Sequence, residues 1–206
     1  MPDLRDRPFD VGDLDPDPLV LFGRWFDQAG AEGAFEPNAA ALATATAAGA
    51  PSARMVLMKS YDERGLAFFT NYGSRKAAEL EENPRAALLF HWPELGRQVR
   101  IEGEIERVGR DESVAYARSR SRASQLSALA SPQSRPVPDR AWLERRVAEL
   151  AAEHVGGELP VRRDWGGYRL EPAAWEFWQH RPDRLHDRFR FEPDERGAWK
   201  IERLGP

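Results

Sequence analysis

The sequence predicts an α+β protein built on an antiparallel β-barrel. Short runs of apolar and β-branched residues recur along the chain, and turn residues such as Gly, Pro, Asn and Ser separate them. Segments with helical periodicity are inserted between groups of these runs, an arrangement typical of this fold class. The 206 residues are enough for one large domain with a substantial core. We expect that domain to span residues 18–206.

The N-terminal residues 1–17 are polar and charged, and we expect them to form a flexible arm. An Asp-Pro-Asp-Pro sequence ends this arm and precedes the segment PLVLFGRWFDQAGA. Within that segment Leu19, Phe22 and Phe26 recur at helical spacing. They predict an amphipathic helix.

Strands and helices follow in a clear order after this first helix. A short helix is expected to begin at Ser74 and to end at Asn83-Pro84, and a longer helical region, from about residue 111 to 156, ends at Gly156-Gly157. Strands are predicted at 40–47, 53–62, 66–72, 85–92, 97–108, 164–172, 174–179, 184–191 and 198–204.

Composition excludes several classes of function. A net charge of −4 provides no general attraction to nucleic acids or anionic lipids. The chain has no Cys, so disulfides, thiolate catalysis and Cys-ligated metals are excluded, and its four His show no metal-ligand spacing. No apolar run approaches the roughly 18 residues of a membrane span, and the N-terminus carries no signal-peptide core. We therefore expect a cytoplasmic protein that holds no metal.

The start of the second helix suggests an anion site. Arg75 and Lys76 lie in its first turn, where the positive end of the helix dipole disfavours cations by a few tenths of a kcal/mol each. An anion bound there by these cations and the free backbone N–H groups would offset that cost. The alternative is two solvated side chains with a small penalty, and local sequence does not decide between them.

Two further sets of polar residues suit phosphate binding. A regular strand through RMVLMK sends Arg54 and Lys59 to opposite faces, so either they serve two neighbouring anions or they are ordinary polar strand ends. Tyr116, Arg120 and Ser124 have i, i+4, i+8 spacing and would share one face of a continuous helix. A solvent-facing helix is the alternative for this second set.

The stretch DRLHDRFRF, residues 183–191, combines a basic row with an apolar one. If it is a strand, one face carries Arg184, His186, Arg188 and Arg190, and the other carries mostly apolar side chains. Such a row is commonly a solvated surface. A nearby Trp178 could stack on a planar ligand or lie in the core.

Several segments, taken in order, resemble a known family. They are RMVLMKSYDERGLAFFTNYGSRKAAELEENPRAALLFHW, RQVRIEGEIER, SRASQLSALASPQS, WGGYRL, EFWQ, RLHDRF and WKIERLGP. Together they closely resemble the pyridoxine/pyridoxamine 5′-phosphate oxidases over roughly residues 17–206. The resemblance implies an FMN-binding split barrel that forms a homodimer with two flavin sites at the subunit interface.

The resemblance also implies roles for individual residues. The cofactor-binding set would be Arg54, Phe69, Thr70, Arg75, Lys76, Gln98, Gln133, Ser134, Trp178 and Arg188. The substrate-binding set would be Lys59, Tyr116, Arg120, Ser124, Arg184 and His186, with the last two also acting as the catalytic residues over the substrate ring.

The implied reaction is the oxidation of pyridoxine and pyridoxamine 5′-phosphates to pyridoxal 5′-phosphate, with O2 as electron acceptor and H2O2 released. Two alternatives stay open at this point. A related FMN oxidase could act on another aromatic such as a phenazine precursor, although it should not need the phosphate set. A non-catalytic flavin-binding protein could dispense with Arg184 and His186, and both are present.

Overall fold

The computed structural model describes residues 7–206 and consists of one eight-stranded antiparallel sheet and five α-helices. The strands are β1 (Ala39–Ala45), β2 (Pro51–Asp62), β3 (Gly65–Asn71), β4 (Arg85–Trp92), β5 (Arg97–Arg107), β6 (Trp165–Gln179), β7 (Asp187–Pro193) and β8 (Trp199–Arg203). The helices are α1 (Pro18–Ala31), α2 (Arg75–Glu82), α3 (Arg110–Ser119), α4 (Arg122–Ala130) and α5 (Arg140–Glu153), and short 3-10 turns lie at Val11–Asp13 and Pro93–Leu95.

The sheet closes into a six-stranded barrel in the order β3-β2-β1-β4-β5-β6, because β3 also pairs with β6. The first half of β6 forms this closing pair, while its second half pairs with β7, which continues to β8. The α+β barrel prediction is confirmed. All neighbouring strands are antiparallel, so short turns suffice to connect most of them.

The prediction of separate strands at 164–172 and 174–179 was wrong. Both belong to β6, and the register against β5 shifts by one residue between Glu102 and Gly103. Gly103 is required at this irregularity, because a Cβ there would lie 1.9 Å from the carbonyl oxygen of Glu171. The residue pattern that marks a strand is interrupted at the bulge, although the pairing of β6 with β5 continues on both sides of it.

Helix α1 packs against the barrel and contributes Leu21, Phe22, Trp25 and Ala29 to the core. The spacing-based prediction placed this helix correctly, and Asp17 caps its N-terminus by accepting from the Leu19 backbone N–H at 2.8 Å. Phe22 is fully buried and packs edge-on against Tyr61 and Phe90. Such aromatic packing fixes the orientation of α1 on the sheet.

The strand predicted at 184–191 begins later than expected, at Asp187. Residues 182–184 form a turn in which Arg184 has a φ of +64°. The proposed basic row therefore does not exist as one strand face, because only Arg188 and Arg190 of the four residues lie in β7. The apolar side of the prediction holds for Phe189 and Phe191, which are buried in the core.

Part of the expected N-terminal arm lies outside the described residues, namely residues 1–6. From residue 7 onward the chain lies against the barrel, where Phe9 is buried and contacts the rings of Trp25 and Phe189. The Phe9 backbone N–H also donates to Asp187 at 3.1 Å. Within residues 7–206, none of the helices combines the length and the apolar character that crossing a bilayer requires.

Candidate active site

A cavity of about 500 Å3 lies between the barrel and the α3–α4 segment. It is lined by the predicted substrate residues Lys59, Tyr116, Arg120 and Ser124, and by the predicted cofactor residues Phe69, Thr70 and Gln133. Residues that are distant in sequence thus share one wall. The lining carries two cations and several hydroxyl groups, so it suits an anionic ligand with oxygen acceptors.

Lys59 reaches this cavity from an irregular point of β2. The β2–β3 register shifts between Met58 and Ser60, which makes Lys59 the extra residue of a β-bulge. Leu57, on the same side of the strand, also lines the cavity, whereas Arg54 turns towards α2. Arg54 and Lys59 therefore point in different directions, although the strand is not regular at Lys59 as the prediction assumed.

The prediction that Tyr116, Arg120 and Ser124 share one continuous helix was wrong. Helix α3 ends at Ser119, Arg120 has extended backbone dihedrals, and α4 begins at Arg122 with Ser121 as its N-cap. The break turns the chain around the cavity, so the three residues still line it together. The Ser121 hydroxyl bonds to that of Ser124 at 2.9 Å, and this holds the start of α4 in place.

Three stacked aromatic rings form another side of the cavity. The Phe69 and Tyr116 rings are 4.0 Å apart and nearly parallel, and Trp165 stacks on Phe69 at 5.7 Å. The Arg120 guanidinium lies 5.3 Å from the Trp165 ring centroid. Burial raises the pKa of Tyr116, although the Arg120 charge acts in the opposite direction, so the hydroxyl stays protonated and can donate.

A cationic cluster, defined here as Arg54, Arg75, Lys76 and Glu79, lies at the start of α2. Glu79 is 4% exposed, and its carboxylate accepts from Arg54 at 3.0 Å and from Arg75 at 2.8 Å. Hydroxyl groups of Thr44 and Ser52 donate to the same carboxylate. Burial alone would raise the pKa of Glu79, but these hydrogen bonds outweigh it and lower the pKa to about 2.

Lys76 connects this cluster to the cavity wall. Its side chain is buried, and its ammonium donates to the Thr70 hydroxyl at 3.1 Å. Thr70 in turn donates to the Gln133 side chain at 2.8 Å, which also accepts from the Asn71 backbone N–H. Burial lowers the pKa of Lys76, and the Arg54 charge lowers it further, against the opposing effect of Glu79.

Ser74 supplies the clearest sign that the start of α2 receives a ligand. It occupies the N-cap position as predicted, yet its side chain makes no capping hydrogen bond. Its hydroxyl oxygen is buried and has no hydrogen-bond partner among the described residues. A buried, unpaired hydroxyl is costly unless a ligand satisfies it. Next to a buried ammonium and a helix N-terminus, that ligand should be an anion.

The remaining predicted site residues form the β6–β7 cluster, defined as Gln98, Trp178, Arg184, His186 and Arg188. Gln98 pairs with Trp178 across β5 and β6, and Trp178 pairs with Arg188 across β6 and β7. The His186 ring lies 4.6 Å from that of Trp178. Arg184 is exposed at the adjacent turn.

Arg188 is fixed by a buried carboxylate. Its guanidinium donates to Glu176 at 2.9 Å and to the Gly205 carbonyl at 2.6 Å. Glu176 is 4% exposed and also accepts from Arg100 at 2.7 Å. Two arginines thus compensate one buried charge, and Arg188 is held with a quarter of its side chain exposed.

Within one chain the predicted residues fall into two groups at opposite ends of β6. The first group comprises the cavity lining and the cationic cluster, and the second is the β6–β7 cluster. Thr70 of the first group pairs with Gly166, near the start of the strand, while Trp178 lies near its end. At about 3.3 Å per residue, roughly 40 Å of strand separates these two points. The predicted residues of one chain therefore do not converge on a single place along β6. Ser134 follows Gln133 in the chain, has a φ of +69° and belongs to the first group of predicted residues.

The sequence analysis missed three polar residues that hold the predicted site residues in place. Glu79 has an i, i+4 relation to Arg75, which could have indicated the ion pair. Glu176 alternates with buried aromatic residues in β6, and an acid in such a run signals a buried partner. Ser121 gave no signal, because its role depends on the helix break.

Comparison with known proteins identifies the family of the chain. The pyridoxamine 5′-phosphate oxidase family profile matches residues 27–154, and the pyridoxine 5′-phosphate oxidase C-terminal dimerisation region matches residues 165–206. The chain belongs to the pyridoxamine 5′-phosphate oxidase family. It is therefore an oxidoreductase, and FMN is the cofactor of its family, as the resemblance implied.

Relatives of this oxidase family match along nearly the whole chain. A pyridoxine/pyridoxamine 5′-phosphate oxidase of Cupriavidus pinatubonensis is 54% identical and covers 99% of this chain and 98% of its own length. One of Bordetella petrii is 57% identical over 92% of this chain and 89% of its own.

Among solved structures, PhzG from Burkholderia lata in complex with tetrahydrophenazine-1-carboxylic acid is 38% identical. Its TM-score is 0.88, and the match covers 100% of this chain and 97% of that one.

Proposed function

We propose that this protein oxidises pyridoxine 5′-phosphate and pyridoxamine 5′-phosphate to pyridoxal 5′-phosphate, with O2 as acceptor and H2O2 as by-product. The observation that carries the proposal is the convergence of Lys59, Tyr116, Arg120 and Ser124 on one cavity. An ammonium, a guanidinium and two hydroxyl groups in this arrangement would bind a phosphate monoester through charge-assisted hydrogen bonds. An aromatic substrate without a phosphate would leave these donors unpaired.

The start of α2 fits the phosphate of FMN. Arg54, Arg75 and Lys76 would hold its oxygens, and the unpaired Ser74 hydroxyl would gain a partner. Phe69, Thr70, Gln133 and Ser134 would contact the remainder of the cofactor from the same chain. FMN held by these residues would supply the hydride acceptor for C4′ of the substrate and the route by which the electrons reach dioxygen.

We propose that the working unit is a homodimer in which each FMN site combines half-sites from two chains. Gln98, Trp178 and Arg188 lie beside the end of β6, whereas Thr70 pairs near its start, and this separation supports a flavin site that one chain does not complete alone. A two-fold axis would bring the β6–β7 cluster of one copy to the α2 end of the other. The match of residues 165–206 to a dimerisation region supports this arrangement.

His186 is suited to hydrogen-bond the substrate with a defined polarity. Its Nδ1 accepts from the Arg181 backbone N–H at 3.0 Å. In the neutral imidazole the proton must then lie on Nε2, which can donate to an oxygen or nitrogen acceptor on the substrate ring. The Trp178 ring packs beside the imidazole, with the ring centroids 4.6 Å apart.

Arg184 would cover the substrate ring from the adjacent turn. Its positive φ costs an ordinary residue about 1–3 kcal/mol, and such strain is concentrated at functional sites. We propose that Arg184 and His186 hold the substrate near its C4′ atom, while the residues that bind its phosphate fix its position in the site. Held in this way, the reacting atoms gain several kcal/mol from proximity and orientation.

Three further proposals concern the organisation of the chain. Residues 18–206 act as a single domain, and residues 7–17, the described part of the N-terminal arm, pack at the edge of the barrel. The protein works in the cytoplasm, because phosphorylated vitamers carry charges that do not cross a bilayer readily.

The deciding experiment measures pyridoxal 5′-phosphate formation and peroxide release under air with FMN-loaded protein. Turnover of either phosphorylated vitamer, without turnover of unphosphorylated pyridoxine, is the expected result. A parallel assay uses a tetrahydrophenazine carboxylic acid, the class of ligand bound in the 38% identical structure. Turnover of that compound alone would overturn the proposal in favour of a phenazine-type oxidase, and bound FMN without any turnover would favour a flavin carrier.

Two variants test the division of labour. Arg184→Ala should reduce turnover more than FMN retention, whereas Arg75→Ala should reduce FMN retention more. Equal losses of both properties in both variants would contradict the assigned roles.

A further inference from the structure

Glu79 is the one carboxylate in the cationic cluster, and its placement beside a proposed phosphate site requires an explanation. A carboxylate close to an anion is repulsive, so its presence should weaken the binding of FMN unless it does something else. Glu79 is almost completely buried and accepts four hydrogen bonds, from Thr44, Ser52, Arg54 and Arg75. Both arginines on that carboxylate are proposed phosphate ligands.

We propose that Glu79 is a positioning residue that presets Arg54 and Arg75 for the FMN phosphate. This inference rests on the proposed FMN site. One carboxylate oxygen holds Arg54 together with the two hydroxyl groups, and the other oxygen holds Arg75 through its Nε. Because Glu79 occupies only the Nε of Arg75, the terminal nitrogens of that guanidinium stay available for an anion.

The Arg75 side chain depends on this contact more than Arg54 does. It is 66% exposed, and Glu79 is its only hydrogen-bond or ion-pair partner within the described chain. Arg54 is 21% exposed and has further hydrogen bonds to Thr44 and Ser52. Without Glu79, Arg75 would sample many rotamers, and FMN binding would have to order it.

The charge of the cluster supports the same conclusion. Three cations and one carboxylate leave two net positive charges, which match a phosphate monoester of about −1.5 to −2. Without the carboxylate, Arg54, Arg75 and the buried Lys76 would repel one another before any ligand arrived. Glu79 therefore allows three cations to stay together in the apoprotein.

The test compares FMN with riboflavin, which has the same ring system but no phosphate. Binding of each to the full-length apoprotein is followed by flavin fluorescence, for the unmodified protein and for Glu79→Gln. The side-chain amide of Gln has only one acceptor oxygen, so it cannot accept hydrogen bonds from Arg54 and Arg75 on opposite sides. Arg75 therefore loses its partner. We expect FMN affinity to fall about 10-fold and riboflavin affinity to change less than 2-fold, since only FMN uses the arginines.

Glu82→Gln is the matched control, because it makes the same chemical change on the exposed part of the same helix. It should change neither affinity. In a double-mutant cycle, Glu79→Gln should cost less in the Arg75→Ala background than in the unmodified protein, because the two residues act together.

If Glu79→Gln fails to fold, Glu79→Asp provides the test. It keeps the buried charge, but its side chain is one methylene shorter and cannot span Arg54 and Arg75 together. The ratio of FMN to riboflavin affinity should then fall.

Three outcomes would have different meanings. An unmodified protein that binds FMN no better than riboflavin would overturn the proposed phosphate site itself. A preference for FMN that survives Glu79→Gln or Glu79→Asp unchanged would overturn the role of Glu79 alone. Equal loss of FMN and riboflavin affinity would show that Glu79 has a general structural role instead.

Discussion

Replacing Lys76 with Met should stabilise the apoprotein while weakening its binding of FMN. The Lys76 side chain is 8% exposed, and the one hydrogen bond of its ammonium within the described chain, to Thr70 at 3.1 Å, is to a neutral group. Losing that bond costs about 1 kcal/mol. Removing the buried Lys76 ammonium, which Arg54 repels, should stabilise the apoprotein by more than this loss. A buried charge with incomplete compensation costs several kcal/mol of folding free energy. We expect a net gain of about 1 kcal/mol at pH 7.

The effect should depend on pH in a defined direction. Burial lowers the pKa of Lys76 below its usual value of 10.5, so the native state releases this proton at a lower pH than the unfolded chain does. Between those two pKa values the unfolded state binds more protons, and the stability of the unmodified protein therefore rises with pH. The advantage of Lys76→Met should shrink as the pH approaches 10.5.

Urea unfolding of FMN-free protein, at pH 7 and again near pH 10, measures both stability effects. FMN affinity should fall about 10- to 100-fold in the same variant, because a charge-assisted hydrogen bond to phosphate is worth about 1.5–3 kcal/mol. A less stable apoprotein that binds FMN with undiminished affinity would refute the reasoning on both counts.

Three other changes have expected outcomes. Gly103→Ala should destabilise the fold by about 3 kcal/mol in urea unfolding, since its Cβ would lie 1.9 Å from the Glu171 carbonyl oxygen; a loss below 0.5 kcal/mol would contradict the bulge geometry. Glu176→Gln should cost about 2 kcal/mol and loosen Arg188, which a lowered melting temperature and weaker FMN retention would show together. Tyr116→Phe should raise KM for the phosphorylated vitamers about 10-fold with kcat little changed, and a fall in kcat alone would speak against a phosphate contact.

The barrel and its first helix could be predicted because their signals are local. The spacing of Leu19, Phe22 and Phe26 predicted α1 as it is, and the apolar runs located most strands. Prediction was wrong where one residue changes the backbone pattern. The bulge opposite Gly103 divided β6 into two apparent strands, and the turn at Arg184 lay inside an apparently regular alternation.

The candidate site could be predicted as a set of residues but not as an arrangement. Motifs selected Lys59, Tyr116, Arg120 and Ser124, and the structure places all four on one cavity. Their actual geometry depends on the β-bulge at Lys59 and the helix break at Arg120, which residue spacing alone does not reveal. Strand alternation also cannot show that the predicted residues lie in two groups at opposite ends of β6, because that depends on how β6 pairs with its neighbours along its length.

The most direct test of a site shared between two chains is subunit complementation. Arg75→Ala protomers, which should retain little FMN, and Arg184→Ala protomers, which should turn over slowly, are unfolded together, refolded with FMN, freed of unbound FMN and assayed for pyridoxal 5′-phosphate formation. If each site combines half-sites from two copies, a mixed dimer has one site with both lesions and one intact site. Random pairing then restores about a quarter of the unmodified activity. If each site is built from a single chain, every site in the mixture carries a lesion, and activity that stays at the level of the separate variants would contradict the account.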